Sequence, residues 1–168
     1  MDLDTHSHSA AAQIDLPKIW NLAFTYLESA PEIRKSAEET LIQLTQCVAL
    51  LLPHPPTSLC KTLEGGLTSL AYTPALGSVL RTLEGSIMVF AAPWSDAVRK
   101  SSALQYFGDV VRKVGEMRVK KGLQCREGAD AVFSALARAA GVDGLLSLLP
   151  CPWFPKRGIM SCLLCLGG

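Results

Sequence analysis

No segment of this chain alternates apolar and polar residues between hairpin turns, and that absence argues against a β-sheet before any residue is singled out. Charge of one sign is also missing. With 16 Lys and Arg against 15 Asp and Glu the formal net charge is +1, so no global field draws the chain to nucleic acid. The first fifteen residues are polar and acidic, unlike the basic-then-apolar pattern of a secretory leader. The six cysteines, Cys47, Cys60, Cys125, Cys151, Cys162 and Cys165, are therefore expected as thiols in an intracellular reducing compartment. Cys47 and Cys60, beside apolar residues at helical positions, are expected to pack as small hydrophobes.

Signatures of chemistry are equally scarce. Gly65-Gly66 is not followed by the Lys-Ser or Lys-Thr pair that a phosphate-cradling loop needs. Cys162-Leu163-Leu164-Cys165 has the spacing of a metal or redox half-site but lacks a second pair. His6 and His8 have only Asp2 and Asp4 nearby, and His54 is ringed by prolines. We expect no enzyme, no metal, no cofactor and no small-molecule substrate. The readings from other classes are a small cysteine-based metal protein and a helical enzyme. The apolar tail at 158–168 is too short to cross a bilayer, which takes about 20 residues, so no membrane partner is expected.

What the chain does contain is helical periodicity, in three hairpins that start near Leu16, Pro56 and Ser95, a repeat of about 40 residues as in HEAT-type arrays. In the first, Leu16, Ile19, Trp20, Ala23, Tyr26 and Leu27 recur at helical spacing, and Pro31-Glu32 opens a second helix striped by Ile33, Ala37, Leu41, Leu44 and Val48. Prolines 53, 55 and 56 end this unit. The second hairpin carries Leu59, Leu63, Leu67 and Leu70, then Leu76, Val79, Leu80, Leu83, Ile87 and Phe90. Gly65-Gly66 inside it reads as a weak point in preference to a close backbone approach. The third carries Val98, Ser101, Leu104, Phe107, Val111 and Val114, then Ala129, Val132, Phe133, Leu136 and Ala140. Gly141 or Gly144 interrupts it before Leu145, Leu146, Leu148 and Leu149. The predicted fold is all-α, a solenoid of three helical pairs over 15–150, with a disordered tail at 1–14 and an irregular apolar tail at 151–168. Helices two, four and six are expected along one face and one, three and five along the other.

Charge is unevenly placed along this array. Residues 1–64 hold 4 basic and 8 acidic side chains, and residues 65–168 hold 12 and 7. Arg112, Lys113, Arg118, Lys120, Lys121 and Arg126 cluster at the end of the fifth helix and the following loop, with Glu116 alone opposing them in that stretch. Such a patch suits a phosphate backbone, and these six residues are the candidate RNA contacts. The plainer reading is a solvated helix end and loop.

Several blocks resemble a known family. They are Asp15-Leu16-Pro17-Lys18, Pro31-Glu32-Ile33-Arg34-Lys35-Ser36-Ala37, Leu63-Glu64-Gly65-Gly66-Leu67-Thr68-Ser69-Leu70-Ala71-Tyr72 with Val79-Leu80 downstream, and Gly141-Val142-Asp143-Gly144-Leu145-Leu146-Ser147-Leu148-Leu149-Pro150. Together, from about Ile14 to Pro150, they are similar to an internal stretch of the ribosomal RNA-processing protein 12 family, large nucleolar HEAT-repeat proteins. A fainter echo continues through Cys151-Pro152-Trp153-Phe154-Pro155-Lys156-Arg157, and nothing after it resembles the family. The resemblance implies a truncated piece of a longer superhelix, with neighbouring repeats of a longer chain as partners. It further implies a nuclear, nucleolar location and a role in pre-ribosome maturation and export, in contact with pre-ribosomal particles or RNA and with transport factors. A segment of a nuclear transport receptor, or of a generic scaffold, shares the pair geometry but not the blocks around Gly65 and Gly144.

Overall fold

The computed structural model describes residues 15–93, 96–119 and 125–149, and every regular element among them is helical. The tails expected at 1–14 and 151–168, with His6, His8 and the Cys162/Cys165 spacing, lie outside the described residues. Asp15 caps the first helix, α1 (Leu16–Thr25), by accepting the Lys18 backbone N–H at 3.2 Å, and Pro17 occupies the first turn, where its missing N–H costs nothing. A 3-10 turn at Tyr26–Glu28 ends α1, and Pro31 begins α2 (Pro31–Leu51). After the proline-rich break come α3 (Thr57–Thr68), a 3-10 turn at Leu70–Ala75 and α4 (Leu76–Ala91). The third pair is α5 (Asp96–Val119) and α6 (Arg126–Ala140). Gly141, with φ of 81°, adopts the left-handed backbone that ends α6 and turns the chain into α7 (Val142–Leu148), so Gly141 and not Gly144 is the interruption.

The three pairs stack in order. One layer consists of α2 against α4 and α4 against α6, the other of α1 against α3 and α3 against α5, while each hairpin also closes on itself. Helix α7 packs on α5 and α6. Between the layers runs one continuous core in which Trp20, Phe24, Leu41, Leu63, Leu83, Ile87, Phe107 and Leu136 are fully buried. The repeats are stable because each hides its apolar stripe on its neighbours. Helix α4 is covered on two sides, and the buried hydroxyls of Thr82 and Ser86 each donate to a carbonyl one turn back, at 2.9 and 2.8 Å. Neither polar group is therefore stranded in the core.

Several positions differ from the sequence reading. Ile33 is 51% exposed, and Ile19 and Tyr26 also stand in solvent, because the apolar stripes of the first pair are wider than the face its neighbour covers; Val98, in the first turn of α5, is exposed as well. Leu70 is 89% exposed in the 3-10 turn, past the end of the stripe it was expected to extend. Cys47 is exposed, whereas Cys60 is partly buried. Phe24 and Thr45 are core residues outside the expected stripes. Thr45 accepts the Trp20 indole N–H at 2.9 Å while donating to the Leu41 carbonyl at 2.7 Å.

The largest departure is at the paired glycines, where α3 runs unbroken through both. A Cβ added at Gly66 stands 2.6 Å from Cζ and 2.9 Å from Cε1 of Phe24, so the helix needs no side chain there to let that ring approach. The ring has no room to give. It is held between Trp20, stacked at 5.4 Å, and Tyr72, at 5.2 Å. Gly65 is different: nothing lies within 4 Å of its added Cβ. Adjacent substitutions should therefore act with opposite sign. Gly65→Ala is expected to stabilise by about 0.5–1 kcal/mol through helix propensity, and Gly66→Ala to destabilise by about 1–3 kcal/mol through overpacking. Urea unfolding midpoints for the two variants check this, and a shift of the same sign in both rules out the close approach as the reason for Gly66.

Candidate nucleic-acid interface

The basic segment is built where α5 ends and α6 begins. Residues 110, 111 and 114 of α5 are buried, which leaves Arg112 exposed and Lys113 half-buried on the flanks of the helix. Arg118 lies in the last turn, where a cation complements the carbonyl end of the helix dipole. Arg126 is exposed at the first position of α6. Lys120 and Lys121 lie outside the described residues. The antiparallel packing of α5 on α6 thus brings Arg118 and Arg126 to one end of the third pair, while Arg112 and Lys113 sit one to two turns down α5.

Three of these cations already have acidic neighbours. Arg112 Nη1 donates to Asp109 Oδ1 at 3.0 Å, and Lys113 Nζ is 3.5 Å from Glu116 Oε2, both exposed pairs within one helix. Arg118 spans two helices: Nε donates to Asp130 Oδ1 at 2.6 Å and Nη2 to Asp130 Oδ2 at 3.2 Å. That two-pronged geometry is the strong form of a guanidinium–carboxylate contact. The sequence reading found Glu116 alone in opposition. Asp109 falls just before the basic stretch and Asp130 lies across the turn on α6, where only the folded pairing reveals it. Exposed pairs such as those at Arg112 and Lys113 are worth about 0–1 kcal/mol and are readily exchanged for a phosphate. Arg118 is not equivalent to them, since withdrawing it leaves Asp130 without its partner and loosens α5 from α6.

Elsewhere the polar groups serve the stack. Arg34 directs its guanidinium at three carbonyls, with Nε donating to Leu27 O at 3.0 Å, Nη2 to Ser29 O at 3.1 Å and Nη1 to Pro74 O at 2.7 Å. It thereby ties the turn of the first pair to that of the second. Beside it the Tyr72 hydroxyl is pushed up to about 12 by burial and by its hydrogen bond to Glu28. Arg81 on α4 reaches Glu38 on α2 at 3.4 Å. The His54 ring stacks on Tyr106 of α5 at 5.1 Å, a contact that sequence spacing did not suggest. Burial pushes the Cys60 thiol up to about 11, which keeps it protonated and a poor nucleophile at neutral pH. Among the described residues no three His, Cys, Asp or Glu side chains converge to hold a metal ion, and no helix is long and apolar enough to cross a membrane.

What this arrangement offers is surface: two layers of stacked helices with a basic cluster at one end. The comparisons agree with that architecture. The family model described as Ribosomal RNA-processing protein 12, HEAT repeats, matches residues 27–157, which takes in the echo at 151–157 and leaves α1 outside. No curated protein and no solved structure matches the chain. A match over most of the length, together with three stacked helical pairs in the expected order, places the chain in the ribosomal RNA-processing protein 12 family, within its HEAT repeats.

Proposed function

We propose that this chain is a non-catalytic scaffold segment acting in pre-ribosome maturation and export in the nucleolus, and that it touches RNA through the basic end of its third helical pair. The family match carries the ribosomal part of this reading. The RNA part is supported by the cluster of cations at the junction of α5 and α6, where exposed pairs can be traded for phosphates at little cost. Arg112, Lys113, Lys120, Lys121 and Arg126 are assigned to phosphate contact. Arg118 is assigned to positioning, because its two bonds to Asp130 tie the end of α5 to α6.

No aromatic side chain interrupts residues 112–126, so base stacking adds little and binding should be weak, indifferent to sequence and steeply salt-dependent. Replacing Lys120, Lys121 and Arg126 by Glu, with Arg118 kept, should abolish retention of a structured RNA at low salt and leave helicity unchanged. The readout is a filter-binding titration over a salt series beside far-ultraviolet circular dichroism. Undiminished binding by this triple variant places RNA recognition elsewhere or nowhere on the chain.

A further inference from the structure

Thr73 is the single serine or threonine of the chain that is followed by a proline. It lies in the 3-10 turn Leu70–Ala75 between α3 and α4, where Leu70, Ala71, Thr73 and Pro74 are all exposed. The helical threonines Thr40, Thr45, Thr68 and Thr82 each donate the hydroxyl to a carbonyl one turn back, whereas the Thr73 hydroxyl makes no hydrogen bond among the described residues. An unengaged hydroxyl is thus presented on a 3-10 turn, whose poorer hydrogen-bond geometry lets it open more readily than the helices on either side.

The surroundings of this turn suit a dianion. Arg34 Nη1 donates to the carbonyl of Pro74, the very next residue, and that bond is exposed. Nε and Nη2 hold the carbonyls of Leu27 and Ser29, so three of the five N–H groups of the guanidinium are used and one each on Nη1 and Nη2 is left. All its acceptors are neutral, and no carboxylate among the described residues cancels its charge. Helix α4 follows the turn directly and has neither a side-chain cap nor an acidic residue in its first turn, so its positive end is unmet by its own sequence. Glu28, the carboxylate on the facing turn, is exposed and engaged with the Tyr72 hydroxyl.

We propose that Thr73 is a phosphorylation site for a proline-directed protein kinase, and that its phosphate lands on Arg34 and strengthens the tie between the first and second pairs. A proline after the acceptor, with its fixed φ and no N–H, is the feature such kinases select. In the transfer the Thr73 oxygen bonds to the γ-phosphorus of ATP and the bond from that phosphorus to the β–γ bridging oxygen breaks. The hydroxyl proton passes to the base of the kinase, and ADP leaves. The phosphate brings nearly two negative charges and three acceptor oxygens to a guanidinium that already spans both turns, so a charge-assisted bond joins the neutral one to Pro74.

The test is phosphorylation of the full chain by a proline-directed kinase with MgATP, mapped by peptide mass, beside a peptide of residues 67–79 that shows the kinase reads this sequence. A single phosphate on Thr73 is expected, absent in Thr73→Ala and incorporated at least about tenfold more slowly in Pro74→Ala, which keeps the hydroxyl and loses only the selected ring. The phosphorylated parent should melt roughly 2–5 °C above the unmodified one. In Arg34→Gln the phosphate should still be incorporated but should no longer raise the melting point, each form being compared with its own unmodified chain. Phosphorylation of the peptide but not of the folded chain overturns the proposal, as does incorporation indifferent to Pro74→Ala. A phosphate that leaves the melting point unchanged or lowers it, or raises it equally in Arg34→Gln, overturns the assignment to Arg34.

Discussion

Trp20→Ala is expected to cost about 3–5 kcal/mol, the largest single loss in the first pair. The indole is completely buried, stacks on Phe24 at 5.4 Å and donates its N–H to Thr45 at 2.9 Å, so truncation removes a wall of the core and a buried hydrogen bond together. Its two parts can be separated. Thr45→Val keeps the shape but strands the indole N–H, which alone should cost about 1–3 kcal/mol. Loss of Trp20 also releases Phe24, the ring lodged over Gly66, so the damage should spread to the junction with the second pair. Chemical denaturation with the midpoints of the two variants compared is the measurement. A Thr45→Val loss equal to that of Trp20→Ala would mean that the hydrogen bond, and not the packing, dominates at this site.

Leu41→Ala comes next, with an expected loss of about 2–5 kcal/mol. Leu41 is wholly buried midway along α2, with Ala37, Thr45 and Val48 above and below it on the same face. Two residues earlier, Glu39 faces solvent, and Glu39→Ala should stay within about 0.5 kcal/mol. Equal losses from the two, in the same unfolding assay, would show that α2 is rotated from the orientation described.

Much of this architecture was legible in the chain itself. The stripes through Leu41, Leu63, Leu83 and Phe107 mark buried faces because only a helix brings such spacings to one side, and the prolines at 31, 53, 55 and 56 punctuate the hairpins where a missing N–H forbids continuation. Periodicity does not say how far round the helix the neighbour reaches. Ile33 and Tyr26 belong to apolar stripes and still stand in solvent, since the second pair covers one flank of the first and leaves the other open. Nor does local composition reveal what crosses between helices. Gly66 looked like a flaw because Phe24, which explains it, lies 42 positions earlier, and the basic stretch looked unopposed because Asp130 meets Arg118 only after α6 folds back along α5. The candidate RNA site was thus visible as a charge cluster, whereas the division of labour between Arg118 and its neighbours required the fold.

The guanidinium of Arg34 has a consequence for how the stack behaves as a material. Its three acceptors are main-chain carbonyls in two separate turns, and none of them titrates. The junction between the first and second pairs is therefore tied by a cation held on fixed dipoles, part-buried at its two bonds within the first pair and exposed at the bond to Pro74. The exposed cations at the opposite end depend on ionic strength for whatever they hold. One end of the stack is thus tied through groups that do not titrate, while the other presents exposed ion pairs whose strength falls as salt is added.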